Sequence, residues 1–224
     1  MDERYERNMG AITGAEQKIL LKARAAVAGC GGLGCYAAEF LARAGLGHIT
    51  LIDGDVFAAS NLNRQLYSLE SNLGKSKVSE AKKRLRKIRA DLSITVYDFP
   101  LDGKNAAELL KGHDVIIDAL DSVKARLLAE KTADTLGTPL VHGAVRDWGA
   151  QVATVLPGDF TLSKLYPGNG KYGKPGALSF TPAFCASLQA AEAVKVLLKK
   201  ENILRNKLLI ADLREMSFDI ITLE

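Results

Sequence analysis

Cysteine is scarce in this 224-residue chain, and its three residues, Cys30, Cys35 and Cys185, form no Cys-x-x-Cys pair. That excludes a disulfide framework and a four-thiolate zinc site, so no zinc is expected. Long apolar runs are missing too: no stretch approaches the roughly 18 uncharged apolar residues of a membrane span. The N-terminal Met-Asp-Glu-Arg-Tyr-Glu-Arg carries charge where a secretory leader would be apolar. Charge of one sign is also lacking. Thirty Lys and Arg against 26 Asp and Glu leave +4, too little to make nucleic acid the expected partner. His48, His113 and His142 are scattered and match no metal spacing. The expectation is a reduced, cytoplasmic, soluble protein with no membrane partner.

At 47% hydrophobic, the chain has enough apolar material for one sizeable α/β core, and the whole of 1–224 is expected to form a single domain. Residues 1–24 form a polar lead-in of one or two short helices. Ala25-Ala-Val-Ala28 reads as a buried strand, residues 33–44 as a helix, and Ile49-Thr-Leu-Ile52 as a second strand. Strand, glycine turn, helix and strand in about 30 residues make one βαβ unit. A basic helix over 75–89, strands at 94–97 and 114–118, and helices at 106–110 and 127–136 follow. A fifth strand, 140–142, ends at Gly143. Residues 151–156 alternate like an exposed strand, and 160–180 reads as a Gly/Pro/Lys-rich crossover loop carrying Lys171 and Lys174. A helix over 182–199 and an antiparallel pair, 208–212 with 216–222, close the chain. The fold expected is a Rossmann-like, doubly wound α/β sheet, mostly parallel, with antiparallel strands at the C-terminal end.

The chemistry starts at Gly29-Cys-Gly31-Gly32-Leu-Gly34. Missing side chains let backbone N–H groups approach an anion, and the following helix points its positive end there. Asp53 lies nineteen residues after Gly34, the spacing of a carboxylate that grips ribose hydroxyls. Asn61, Arg64 and Gln65, just beyond Asp53 and Asp55, are groups that a nicotinamide enzyme does not need. A triphosphate does: Arg offers a planar fork and an amide bonds phosphate without charge. Lys77, thirteen residues after Arg64, adds a point charge, while the remaining lysines and arginines of its helix read as a solvated face. At the end of the fourth strand, Asp121 is the candidate Mg²⁺ ligand. Asp118 either closes the strand or caps the next helix.

The run Gly-x-Gly-Gly-Leu-Gly, then Asp-x-Asp-Val-x-x-x-Ser-Asn-Leu-Asn-Arg-Gln, then Gly-Lys-x-Lys, then Asp-Ala-x-Asp closely resembles the ThiF/MoeB/HesA superfamily, bacterial relatives of the ubiquitin-activating enzymes. The resemblance runs from Arg4 to about Lys195. It implies adenylation of the C-terminal glycine of a ubiquitin-like sulfur carrier ending in Gly-Gly, with ATP and Mg²⁺, for thiamine, molybdopterin or related sulfur transfer. By motif it makes the Gly31 turn the phosphate floor and Asp53 the ribose ligand. Asn61, Arg64 and Lys77 become triphosphate ligands, and Asp121 the Mg²⁺ ligand. Arg4-Tyr-Glu-Arg7-Asn8 resembles the family's Arg-Tyr-x-Arg-Gln, which makes Arg7 a finger supplied in trans and implies a homodimer.

The chain departs from relatives that hold zinc with two Cys-x-x-Cys pairs, since Thr161-Leu-Ser-Lys164 stands before Leu165 and Tyr166. Nor does the crossover loop carry a cysteine. Cys185 follows it near a helix start, where a helix dipole can lower a thiol pKa; a small buried apolar cysteine is the commoner state and the expected one, with an activated thiol as the alternative. His142 and Trp148 are candidates for the substrate groove and equally for structure. Three further readings stay open: adenylation of a tRNA-modification carboxylate or a peptide terminus, a nucleotide-binding scaffold without turnover, and an NAD-dependent oxidoreductase.

Overall fold

A computed structural model describes residues 2–167 and 176–223. Lys171 and Lys174 lie outside the described residues. Eight strands form one sheet in the order β3-β2-β1-β4-β5-β6-β7-β8. β1 (Arg24–Ala28), β2 (His48–Ile52), β3 (Ser93–Tyr97), β4 (Val115–Asp118) and β5 (Leu140–Arg146) run parallel. β6 (Gly149–Val155), β7 (Lys207–Asp212) and β8 (Ser217–Thr222) add antiparallel strands beyond β5. The parallel strands are short apolar runs because helices cover both their faces.

Helices α2 (Gly32–Ala44), α3 (Lys77–Ile88) and α7 (Phe180–Leu197) bury one face of the sheet, and α4 (Ala106–Leu110) and α5 (Val123–Leu136) the other. Ala37, Ala38 and Ala42 of α2 lie in the same core as Ala186, Ala190 and Ala193 of α7, and such small side chains let the two helices approach closely. The strand order reverses between β1 and β4. Ligands in open α/β sheets bind at that crevice, beyond the carboxyl ends of the strands.

Four sequence expectations need correction. β5 does not end at Gly143, which pairs with Val152 inside the ladder. The glycine is there because a Cβ would overlap the buried Gln189 amide. β6 is not exposed: residues 152–155 are all buried, since α7 packs on one face and helix α6 (Thr161–Leu165) on the other. The expected loop 160–180 therefore contains a helical turn. Nor is the basic helix wholly solvated. Arg84 pairs with the buried Glu39, and Arg89, 5% exposed, donates to the Leu46 carbonyl.

Glu130 explains how α6 is held without thiolates. Its buried carboxylate accepts from Leu162 N–H (2.5 Å), Ser163 N–H (3.0 Å) and the Ser163 hydroxyl (2.7 Å). These are first-turn donors with no intrahelical partner. Glu130→Gln is expected to cost about 2 kcal/mol, because charge-assisted bonds are lost around a buried group. Thermal unfolding checks this; a drop of about 4–8 °C is expected for a chain of this size.

Candidate active site

Two different jobs divide the glycine turn. Gly29 has φ +95° and lies against β4's continuation, where a Cβ would sit 2.5 Å from the Ala119 oxygen. A Cβ on Gly34 would overlap the Gly29 carbonyl. Both are required for strand–helix contact. Gly31 and Gly32 meet only side chains, Gln65 Nε2 at 3.5 Å and Pro182 at 3.4 Å. Both are half-buried at the start of α2, where no side chain caps the helix.

Asp53 binds the turn from below. Its Oδ2 accepts from Cys30 N–H (2.6 Å) and its Oδ1 from Asp55 N–H (2.8 Å). Burial raises its pKa, an effect that these two N–H bonds and Lys77 oppose without cancelling. A raised pKa means protonation at a higher pH than an ordinary Asp, near 3.9. Ribose hydroxyls donate to a carboxylate. Nucleotide affinity is therefore expected to weaken on acidification while ordinary aspartates are still ionised. Calorimetric titration against pH checks this, and Asp53→Asn should flatten the profile.

The loop after β2 brings Lys77 into place. Phe57 N–H donates to Lys75 O and Gly74 N–H to Phe57 O, and Lys77 N–H donates to Asp55 O. This short pairing sets Lys77 Nζ 2.7 Å from Asp55 Oδ2, with the lysine 5% exposed. Asp55 thus serves as Lys77's counter-ion, and it is largely open to solvent. A polyphosphate entering here would compete for the same ammonium.

Residues 59–61 form a 3₁₀ turn. Asn61 Oδ1 accepts from Ala58 N–H, and its carbonyl accepts from the N–H groups of Arg64 and Gln65. The Arg64 guanidinium donates through Nη1 to Ser60 O and Asn63 Oδ1, both at 2.8 Å. Its other nitrogens have no acceptor among the described residues. Gln65 is 7% exposed, and its Oε1 is buried without a partner. A buried amide oxygen with no donor, beside an uncapped glycine turn, marks a place for a ligand or water.

Asp121 is exposed, with no hydrogen bond among the described residues. Its turn follows β4 beside Gly29. An unpaired, hard carboxylate oxygen fits Mg²⁺, which takes one or two carboxylates plus phosphate oxygens. Among the described residues no cluster of three or more His, Cys, Asp or Glu could hold a metal by itself. Of the two jobs foreseen for it, Asp118 does the first and not the second, since Ser122 caps α5. It closes β4 and, fully buried, accepts from Leu120 N–H and from His142 Nδ1.

Other sequence candidates sit elsewhere. Arg7 is exposed on the 3₁₀ segment Glu3–Asn8, whose Tyr5 packs at Gly45, the far end of α2. Thirteen helical residues put about 20 Å between that end and the glycine turn, so Arg7 is not part of the site formed at the turn of this chain. Cys185 is fully buried, and burial pushes its thiol up to about 12; the buried apolar reading holds and the activated-thiol alternative does not, since the residue lies in the second turn of α7 against β5 and β6. Cys30 and Cys35 are likewise buried, with raised pKa values. Trp148 is exposed and packs against Phe180 with the ring planes tilted by 51°, at 5.1 Å between centroids. A shallow apolar groove of about 390 Å³, lined by Ile12, Ala44 and Val194 among others, also lies at the far end of α2.

Sequence reasoning missed Arg126, Gln151 and Tyr166, which meet His142 behind the Asp121 turn. They come from α5, β6 and the end of α6, so no local spacing announces them.

Comparison with known proteins adds three findings. A family model described as the ThiF family matches residues 5–224. The SAMP-activating enzyme E1 of Haloferax volcanii is 32% identical over 227 residues, covering 98% of this chain and 84% of its own length. The sulfur carrier protein adenylyltransferase of Thermus thermophilus is 33% identical, covering 98% and 86%, and the molybdopterin-synthase adenylyltransferase of Haemophilus influenzae 34%, covering 88% and 83%. Among solved structures, E. coli MccB with ATP superposes with a TM-score of 0.87, covering 100% of this chain and 71% of that one at 23% identity. That likeness speaks for the fold.

Proposed function

The chain belongs to the ThiF family, and from that premise we propose that it uses ATP and Mg²⁺ to adenylate the C-terminal glycine of a ubiquitin-like sulfur carrier. Adenylyl transfer itself is the activity of the class, carried by relatives that match 88–98% of the chain. The observation that carries the nucleotide assignment is the uncapped helix start at Gly31 and Gly32, flanked by the unpaired Gln65 oxygen and the Arg64 fork. Asp53 takes the ribose; Asn61, Arg64 and Lys77 take the phosphates.

Such a site needs no protein nucleophile. The carrier's carboxylate is ionised at neutral pH and attacks the α-phosphorus directly. Its attack needs in-line positioning and neutralisation of the pyrophosphate that leaves. Arg64 and Lys77 supply positive charge from this chain. Arg7, too far from its own subunit's site, supplies it in trans within a homodimer. When bound, Mg²⁺ at Asp121 adds charge stabilisation at the phosphates.

ATP–pyrophosphate exchange tests the reading. It should depend on a small carrier ending in Gly-Gly and stay at background with tRNA or an unrelated peptide. Exchange driven by a peptide alone would redirect the acceptor assignment. Tight ATP binding with no exchange under any acceptor would make the chain a scaffold.

A further inference from the structure

Behind the exposed Asp121 turn lies a polar network that the adenylation chemistry does not use. Its centre is the Tyr166 hydroxyl. That oxygen accepts from Gln151 Nε2 (2.7 Å) and Arg126 Nη1 (3.0 Å), and donates to His142 Nε2 (3.1 Å). His142 Nδ1–H donates to Asp118 Oδ2 (2.7 Å), so its tautomer follows from its two neighbours. Both Asp118 and His142 are fully buried. The Arg126 guanidinium also lies over the Tyr166 ring, 5.6 Å from its centroid.

Two ends of this network close on one residue, Leu120, through the two peptides that flank it. Asp118 Oδ1 accepts from Leu120 N–H (3.1 Å), and Arg126 Nε donates to the Leu120 carbonyl (3.0 Å). Leu120 is thus held on both its N–H and its C=O, immediately before Asp121. Asp121 has no hydrogen bond of its own among the described residues. Its position must come from the backbone that carries it.

We propose that Arg126 and Tyr166 are positioning residues for Asp121: the Tyr166 hydroxyl fixes Arg126 directly and Asp118 through His142, and these two lock the backbone on both sides of Leu120. The proposal rests on the assignment of Asp121 to the metal ion. Neither residue touches the ion or nucleotide in this account. Their contribution is a turn already set for metal before nucleotide arrives, a saving in ordering that a loosely tethered carboxylate lacks.

The test uses Mn²⁺ as a paramagnetic probe, with the full chain and a non-hydrolysable ATP analogue, read by electron paramagnetic resonance. Tyr166→Phe keeps the ring and removes the hydroxyl; Arg126→Lys keeps the charge and removes the fork. Each is expected to weaken Mn²⁺ binding to the protein–nucleotide complex about tenfold, with nucleotide binding in the absence of metal unchanged. The Mg²⁺ concentration for half-maximal exchange should rise in parallel. A double variant should show little further loss, since both act through the backbone at Leu120. A purely structural role would lower the melting temperature and leave Mn²⁺ affinity at the wild-type level; that result overturns the proposal. If Tyr166→Phe does not fold, Arg126→Lys decides alone. Asp121→Asn separates the two levels. Wild-type Mn²⁺ affinity in Asp121→Asn sinks the metal assignment and the proposal with it. Weak binding there with normal binding in the other variants sinks the proposal only.

Discussion

Arg64→Ala is expected to lower carrier-dependent ATP–pyrophosphate exchange by roughly 10²–10³-fold, the cost of removing one preorganised donor from a site of charge development. Two features make the expectation specific to catalysis. Arg64 is tied only to the Ser60 carbonyl and the Asn63 amide, both close in sequence, so the fold does not hang on it. Its remaining nitrogens have no acceptor among the described residues, which leaves them available for phosphate. Melting temperature should therefore change little while exchange collapses. Asp121→Ala should behave the same way, because an exposed carboxylate without a hydrogen bond contributes little to stability. Lys77→Ala is a less clean experiment. The lysine is buried and paired with Asp55, so its loss strips a counter-ion and leaves a cavity as well. Normal exchange in Arg64→Ala would remove the 61–65 segment from the triphosphate site.

The parallel half of the sheet was legible because each strand is a continuous apolar run between glycine-rich turns, and such runs arise where helices cover both faces. The antiparallel half was harder. Residues 151–156 alternate in sequence, yet β6 is buried by α6 and α7, which arrive from later in the chain. Gly143 looked like a stop, but it is a gap left for Gln189, 46 residues away in sequence. The site divides in the same way. Asp53, Arg64 and Lys77 announce themselves through local spacing, because one short stretch of loop carries them all. Glu130, Arg126 and Tyr166 do not, since each acts across 30 or more residues of sequence on a partner from another element. Cys185 was legible for the opposite reason: a small apolar side chain early in a mostly apolar helix is expected to pack inward, and the burial that raises its pKa follows.

Alanine at two glycines only two positions apart should give opposite results. Gly34→Ala is expected to prevent folding or cost about 3 kcal/mol or more, at or above the upper end of overpacking costs. The atom in the way is the Gly29 carbonyl oxygen, part of the backbone that joins β1 to the turn. It cannot rotate aside as a side chain would. Gly29 itself is held at φ +95° with the Ala119 oxygen on its other flank, so the strain has nowhere to go. Gly32→Ala meets only Pro182 at 3.4 Å and the Arg64 Cγ at 3.9 Å, ordinary van der Waals contact. It also lies within α2, where alanine is favoured over glycine by up to about 1 kcal/mol. Its stability should stay within about 1 kcal/mol of wild type. What it should lose is nucleotide affinity, by roughly tenfold or more, because the new methyl occupies the space through which a phosphate reaches the backbone N–H groups. Thermal unfolding and calorimetric ATP titration on the two variants separate the roles. A Gly32→Ala protein that folds and binds ATP as the wild type does would make the whole turn a packing device and move the phosphates elsewhere. Loss of affinity without loss of stability would fix the floor of the site at Gly31 and Gly32, with Gly29 and Gly34 as the frame that keeps it flat.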